Sequence, residues 1–125
     1  MSAYHEIFLR PLAGSVDDAT VARDLAEVFG VEFEPVTTDY GATYRGQVAG
    51  AIIEVFTSHD LLDDGGLPFE SHPLQIDFRD LAKDEKHEKA VMQRAFDGLA
   101  GLGTYSLFST YNTQLLIDSR IVDEL

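Results

Sequence analysis

Apolar and polar residues alternate along this chain in short runs whose period switches between two and about 3.6. In Tyr4–Arg10, Ile7 and Leu9 fall on one side and Phe8 on the other, which predicts a strand that Pro11 ends. Val21, Leu25, Val28 and Phe29 then share one face of a helix. With Asp17 as N-cap, Val16 stands at N′ and Val21 at N4, the spacing of a hydrophobic staple; Ser15 is the alternative cap. Asp17 and Asp18 lie where the helix dipole favours negative charge. Gly30 is a natural helix stop, because glycine enters the left-handed conformation at little cost.

Beyond Gly30 the period returns to two. Val31, Phe33 and Pro35 alternate with Glu32 and Glu34, a short strand with an acidic face. Asp39-Tyr40-Gly41 reads as a turn and Thr43–Val48 as a weaker strand. Ala49-Gly50 links it tightly to Ala51–Thr57, where Ile53 and Val55 oppose Ile52, Glu54 and Phe56. Ser58–Pro73 is irregular, with Gly65-Gly66 and Pro68 as breakers. Leu74, Ile76 and Phe78 alternate with Gln75, Asp77 and Arg79, the clearest half-buried strand in the chain. A helix is predicted over 83–102, with Val91, Ala95, Phe96, Leu99 and Leu102 as its apolar stripe, Glu85 and Lys89 as an i,i+4 pair, and Gly101 and Gly103 at its end. Tyr105–Tyr111 is a further strand. For the remainder, a short helix capped by Asn112 and carrying Leu115 and Leu116 is favoured over a final strand. The expected architecture is one α+β domain over residues 1–125: a two-layer sandwich of a mainly antiparallel sheet, about five to six strands, with two helices on one face. The other sheet face is expected to be wet or to bind.

Charge narrows the partners. Twenty-two acidic residues against nine basic ones give a net charge of −13. Nucleic acid and anionic membrane surfaces would be repelled, whereas a basic protein would be attracted and steered. The excess is local: residues 12–78 hold thirteen carboxylates against only Arg23 and Arg45. The Lys83–Arg94 charges read as the wet face of the second helix. The chain has no cysteine, which excludes disulfides, thiolate catalysis and Cys-ligated metal sites. Met1–Leu12 shows no basic region followed by a long apolar run, so no signal peptide is expected and the cytosol is the expected location.

Known catalytic motifs are missing. His5, His59, His72 and His87 show no i,i+4 pair, and His-Glu-x-x-His is absent. His59 and His72 flank an acidic loop and could approach Asp60, so a metal-dependent or small-ligand enzyme is an alternative reading. Asp60, Asp63, Asp64 and Gly65-Gly66 lack the alternating ligands and the final glutamate of an EF-hand. Ser58-His59-Asp60 holds the residue types of a triad, but neighbours on a strand point opposite ways. Gly101-Leu102-Gly103 ends a helix instead of opening one, so it is no nucleotide loop. No cofactor and no metal are expected. Binding residues, by contrast, are available. Tyr40 and Tyr44 read as an exposed pair near Glu54 and the loop acids Asp60, Asp63, Asp64 and Glu70, while Phe56 and Phe69 read as core. Aromatic anchors ringed by carboxylates suit contact with a basic protein.

In Tyr4–Arg10, in Ser58-His59-Asp60-Leu61-Leu62-Asp63-Asp64 through Pro68-Phe69, and in Arg79-Asp80-Leu81, the chain resembles the small, acidic, cysteine-free immunity proteins encoded beside bacterial polymorphic and contact-dependent toxins. The likeness is one of general style over most of the chain. It implies tight inhibition of a cognate toxin by active-site occlusion, with Asp60, Asp63, Asp64 and Glu70 standing in for an anionic substrate. It assigns no catalytic residue. A dimeric scaffold paired through an exposed sheet edge is a third reading.

Overall fold

The computed structural model describes residues 4–14, 17–38, 41–57, 59 and 61–122. Strand β1 (His5–Pro11) leads into helix α1 (Asp18–Phe29). Then come β2 (Glu34–Thr38), β3 (Gly41–Val48), β4 (Ala51–Phe56), β5 (Leu74–Asp80), helix α2 (Glu85–Gly101), β6 (Tyr105–Tyr111) and β7 (Leu115–Arg120). The strands form one antiparallel sheet in the order β2-β3-β4-β5-β1-β6-β7. The fold is α+β as expected, with seven strands instead of five or six.

The added strand is β7, where a short helix was expected. Asn112 and Thr113 both take positive φ, +53° and +56°, and the Gln114 N–H donates to the Tyr111 carbonyl at 3.1 Å. That is the pattern of a type I′ turn, whose twist sends the chain back antiparallel. Two adjacent leucines carry no period that could have decided the matter. Ala49 and Gly50, at φ +50° and +84°, make the same kind of turn between β3 and β4.

Both helices begin on aspartate caps. The Asp17 carboxylate accepts from the Thr20 N–H at 2.9 Å, and Gly30 closes α1 at φ +68°. Asp84 accepts from the N–H groups of Lys86 and His87. Lys83, at φ +58°, lies outside the helix, so α2 starts at Glu85 and not at residue 83. β2 likewise starts at Glu34, three residues later than its pattern suggested; Val31 and Phe33 precede it and pack against the core. Val16 of the expected staple and the Asp39-Tyr40 turn lie outside the described residues.

Alternation along the strands sets which side chains meet the helices. Ile7, Leu9, Ile53, Val55, Ile76, Phe78 and Leu107 join Val21, Leu25, Met92, Phe96 and Leu99 in the main core. Glu88, in the first turn of α2, ties the helix to the sheet. One oxygen accepts from the His5 N–H at 2.9 Å and from His5 Nδ1 at 2.7 Å. The other accepts from the Asp80 N–H at 3.0 Å. Glu88 is buried, so these bonds replace the water it gives up. Among the described residues no helix is long and apolar enough to cross a membrane.

Helices α1 and α2 meet where Gly98 faces Val28. A Cβ on Gly98 would lie 2.7 Å from both Val28 methyl groups. Gly98→Ala should therefore destabilise the fold by about 1–3 kcal/mol, outweighing alanine's helix propensity of about 1 kcal/mol. In a Val28→Ala background the sign should reverse. Denaturant unfolding of the four chains checks both statements.

Candidate functional site

The sheet face away from the helices is only partly covered. Phe8 and Phe108 point to it, and His59 with residues 61–73 folds over them between β4 and β5. Phe69 meets Phe8 edge-on at 4.9 Å between ring centroids and Phe108 at 5.5 Å. His59 packs edge-on against Phe8 at 5.1 Å, and His72 against Phe108 at 5.2 Å. With Leu67 buried and Leu61 half-buried, the loop has a small core of its own.

Hydrogen bonds fix the loop further. The Leu61 N–H donates to His59 Nδ1, so the proton lies on Nε2, which donates to the His72 carbonyl at 2.8 Å. His72 Nδ1 stands 3.0 Å from the Pro68 carbonyl and must donate to it. Its Nε2 then accepts from the Ser106 hydroxyl at 2.9 Å, and Ser106 Oγ accepts from the Val122 N–H. Burial pushes the His72 imidazole below its usual range, which keeps it neutral for this role. At the tip, the Asp63 N–H donates to Glu70 and the Glu70 N–H donates to Asp63, at 3.0 and 2.8 Å. Between them Gly65 and Gly66 turn at φ +58° and +80°, closed by the Leu67 N–H on the Asp64 carbonyl. The loop is therefore ordered by its own contacts, and it holds out Leu62, 72% exposed, beside exposed Asp63 and Asp64.

Next to the loop, a row of acids crosses the open face. Strand register sets Glu54 opposite Asp77, Asp77 opposite Glu6, and Glu6 opposite Thr110. Directly opposed residues have Cα atoms about 4.5–5.5 Å apart, so these carboxyl groups feel one another. Arg45 ends the row, 2.9 Å from Glu54. Asp77 accepts from the Gln75 amide at 2.7 Å. Glu6 accepts from the Thr110 hydroxyl at 2.8 Å and the Thr113 N–H at 3.0 Å. Desolvation, aided by the neighbouring Asp77 and Glu88, pushes Glu6 up to about 7. Asp77 rises to about 6, from burial first and the Glu54 charge second.

The sequence-predicted residues divide. Asp63, Asp64 and Glu70 sit together at the loop tip, though one oxygen each of Asp63 and Glu70 is engaged within the loop. Glu54 is on the open face, its charge matched by Arg45. Tyr44, expected to be exposed, is half-buried against the helix-side core, because β3 alternation gives it the parity opposite to Arg45. Phe69 is core, as read. Asp60 and Tyr40 lie outside the described residues. Glu6, Asp77 and Leu62 were not singled out beforehand. The available signal was a carboxylate on the polar phase of otherwise apolar strands; only register makes Glu6 and Asp77 neighbours.

His59 and His72 do come together, but each ring nitrogen already has a protein partner. A metal there would displace the bonds that hold the loop. Among the described residues no group of three or more His, Asp or Glu is arranged to hold a metal ion. A separate open hollow of about 460 Å³ lies beside α1, lined by Leu12, Thr20, Asp24, Leu102 and Tyr105, with the Tyr105 hydroxyl donating to Asp24 at 2.6 Å. No protein-family model matches the chain, and no curated protein matches it at a significant level. The arrangement is suited to recognition: an ordered acidic projection beside a partly desolvated acidic strip.

The raised Glu6 has a thermodynamic consequence. The folded state binds more protons than the unfolded chain between the ordinary glutamate value of 4.5 and about 7. Stability from this group is thus present below 4.5 and lost as pH rises to about 7. Glu6→Gln keeps an acceptor for Thr110 and Thr113 and removes the cost. At pH 8 it should be more stable than the wild type by about 1–3 kcal/mol, with the gap closing toward pH 4.5. Urea titrations of both chains across that range test this.

Proposed function

We propose that the protein is an acidic binding module that inhibits a basic protein partner. In its most specific form it is a cytosolic immunity protein that neutralises a cognate toxin domain by covering the active site. The observation that carries this reading is the ordered loop tip. Leu62 stands exposed between half-buried Leu61 and two carboxylates, on a loop held by its own aromatic core and by reciprocal Asp63–Glu70 bonds. A loop already in its binding shape spends little entropy on docking. An apolar anchor ringed by charge gives slow release together with steered arrival.

The strip Glu54–Asp77–Glu6 supports the same reading. Burial and mutual repulsion raise two of its members. Lys or Arg side chains of a partner laid along it would relieve that repulsion, and the −13 charge would speed their approach. Asp63, Asp64 and Glu70 would occupy a cationic cleft in place of an anionic substrate.

The test starts with affinity capture from the native host's lysate, followed by an activity assay of the captured basic protein with and without this chain. Asp63→Lys with Asp64→Lys should lower the association rate by about tenfold or more at low salt and flatten its salt dependence. Leu62→Ala should leave association nearly unchanged and speed dissociation by about tenfold. Unchanged rates in both variants would remove the loop from the interface, and a bound partner with full activity would remove the inhibitor reading.

A further inference from the structure

The two sheet edges are built differently. At one edge, β2 carries exposed Glu34 and Pro35, and proline offers no N–H to an approaching strand. At the other edge, β7 reads Leu115-Leu116-Ile117-Asp118-Ser119-Arg120, with neither proline nor lysine. Seven large hydrophobic residues are exposed among the described residues, and four of them, Leu115, Leu116, Ile121 and Val122, lie on or just after β7. The register shift in the β6–β7 pair falls at Ser109/Thr110, toward the Leu115 end, and leaves Asp118–Arg120 regularly paired with Leu107–Ser109. The Ser119 N–H donates at 2.8 Å to the side chain of its own neighbour Asp118 on this edge strand.

We propose that β7 pairs antiparallel with β7 of a second copy of this chain, on a two-fold axis at Ser119, joining two sheets edge to edge. The strand's own charge order selects a second copy as the occupant. An axis at Ser119 sets Asp118 opposite Arg120 of the second copy, and by symmetry does so twice. Beyond Asp118 the ladder is interrupted at Ile117, which packs on the helix-side core next to Asp118, so the regular pairing centres on Asp118–Arg120. Directly opposed residues share a face, so opposite charges meet across the axis. In the lone chain Asp118 divides its oxygens between Gln93 and the Ser119 N–H. In the pair that N–H goes to the opposing carbonyl, and the freed oxygen faces Arg120 of the second copy. The pairing does not rest on the inhibitor reading.

Sedimentation equilibrium at about 0.15 M salt, where screening is effective beyond about 8 Å, reads the outcome against the −13 charge of each copy. The wild type should pass from monomer to dimer with rising concentration. Arg120→Asp and Asp118→Arg should each weaken association by about tenfold, since each turns two attractive pairs into repulsive ones. An equimolar mixture of the two variants should associate again, because every pair across the axis is then of opposite sign. Ser119→Cys should form a disulfide-linked dimer on oxidation, which is a clean readout in a chain with no cysteine of its own. Circular dichroism confirms that each variant folds. A wild type that stays monomeric to near-millimolar concentration overturns the proposal. So does a dimer that neither charge reversal weakens, or variants that fail to rescue each other in the mixture.

Discussion

Everything in this fold depends on β1 being buried on both faces. It is fifth in the sheet, between β5 and β6. Ile7 and Leu9 complete the core under the helices, while Phe8 is the platform on which the long loop rests. A central antiparallel strand with water on one side would need polar residues there. Phe8 instead demands a cover, and the loop supplies it with Leu67 and Phe69. The order of the loop is thus a consequence of satisfying one strand.

The same strand introduces the main electrostatic tension. Glu6 follows the parity of Phe8, so it lies on the open face beside Asp77 and close to the loop's core. Burial on that face also dries Glu6. Its two hydrogen bonds, to Thr110 and Thr113, ease the cost without removing it. Glu88 shows the contrasting solution on the other side of the sheet. It is as deeply buried, yet it receives three hydrogen bonds from β1 and β5, and it joins helix to sheet. A buried carboxylate can therefore serve as a tie or remain a strained group, according to how many donors meet it.

Much of the element order could be read from periodicity. β1, both helices, the β3–β4 hairpin and β5 declared themselves through apolar spacing, and Asp17 and Gly30 marked the ends of α1 correctly. The misreading of residues 112–120 has a definite cause. Asn112 and Thr113 enter the left-handed region, a choice that neighbouring strand β6 rewards and local pattern does not disclose. Tyr44 was misjudged for a related reason. Its exposure depends on which face the helices cover, and polarity of the flanking sequence does not say.

What the sequence determined by itself is the set of short-range facts: where the period is two or 3.6, where caps and turns fall, how much negative charge the chain carries and which chemistries its residue types forbid. These follow from spacing along one chain, which residues i, i+2 and i+4 report directly. Tertiary structure alone decided which carboxylates became neighbours, which aromatic rings closed over Phe8, and that the histidines flanking the loop serve as hydrogen-bonded pins. Those outcomes depend on strand register and on the face the helices occupy. Both are set by burying the whole apolar surface at once, a constraint that no single segment contains.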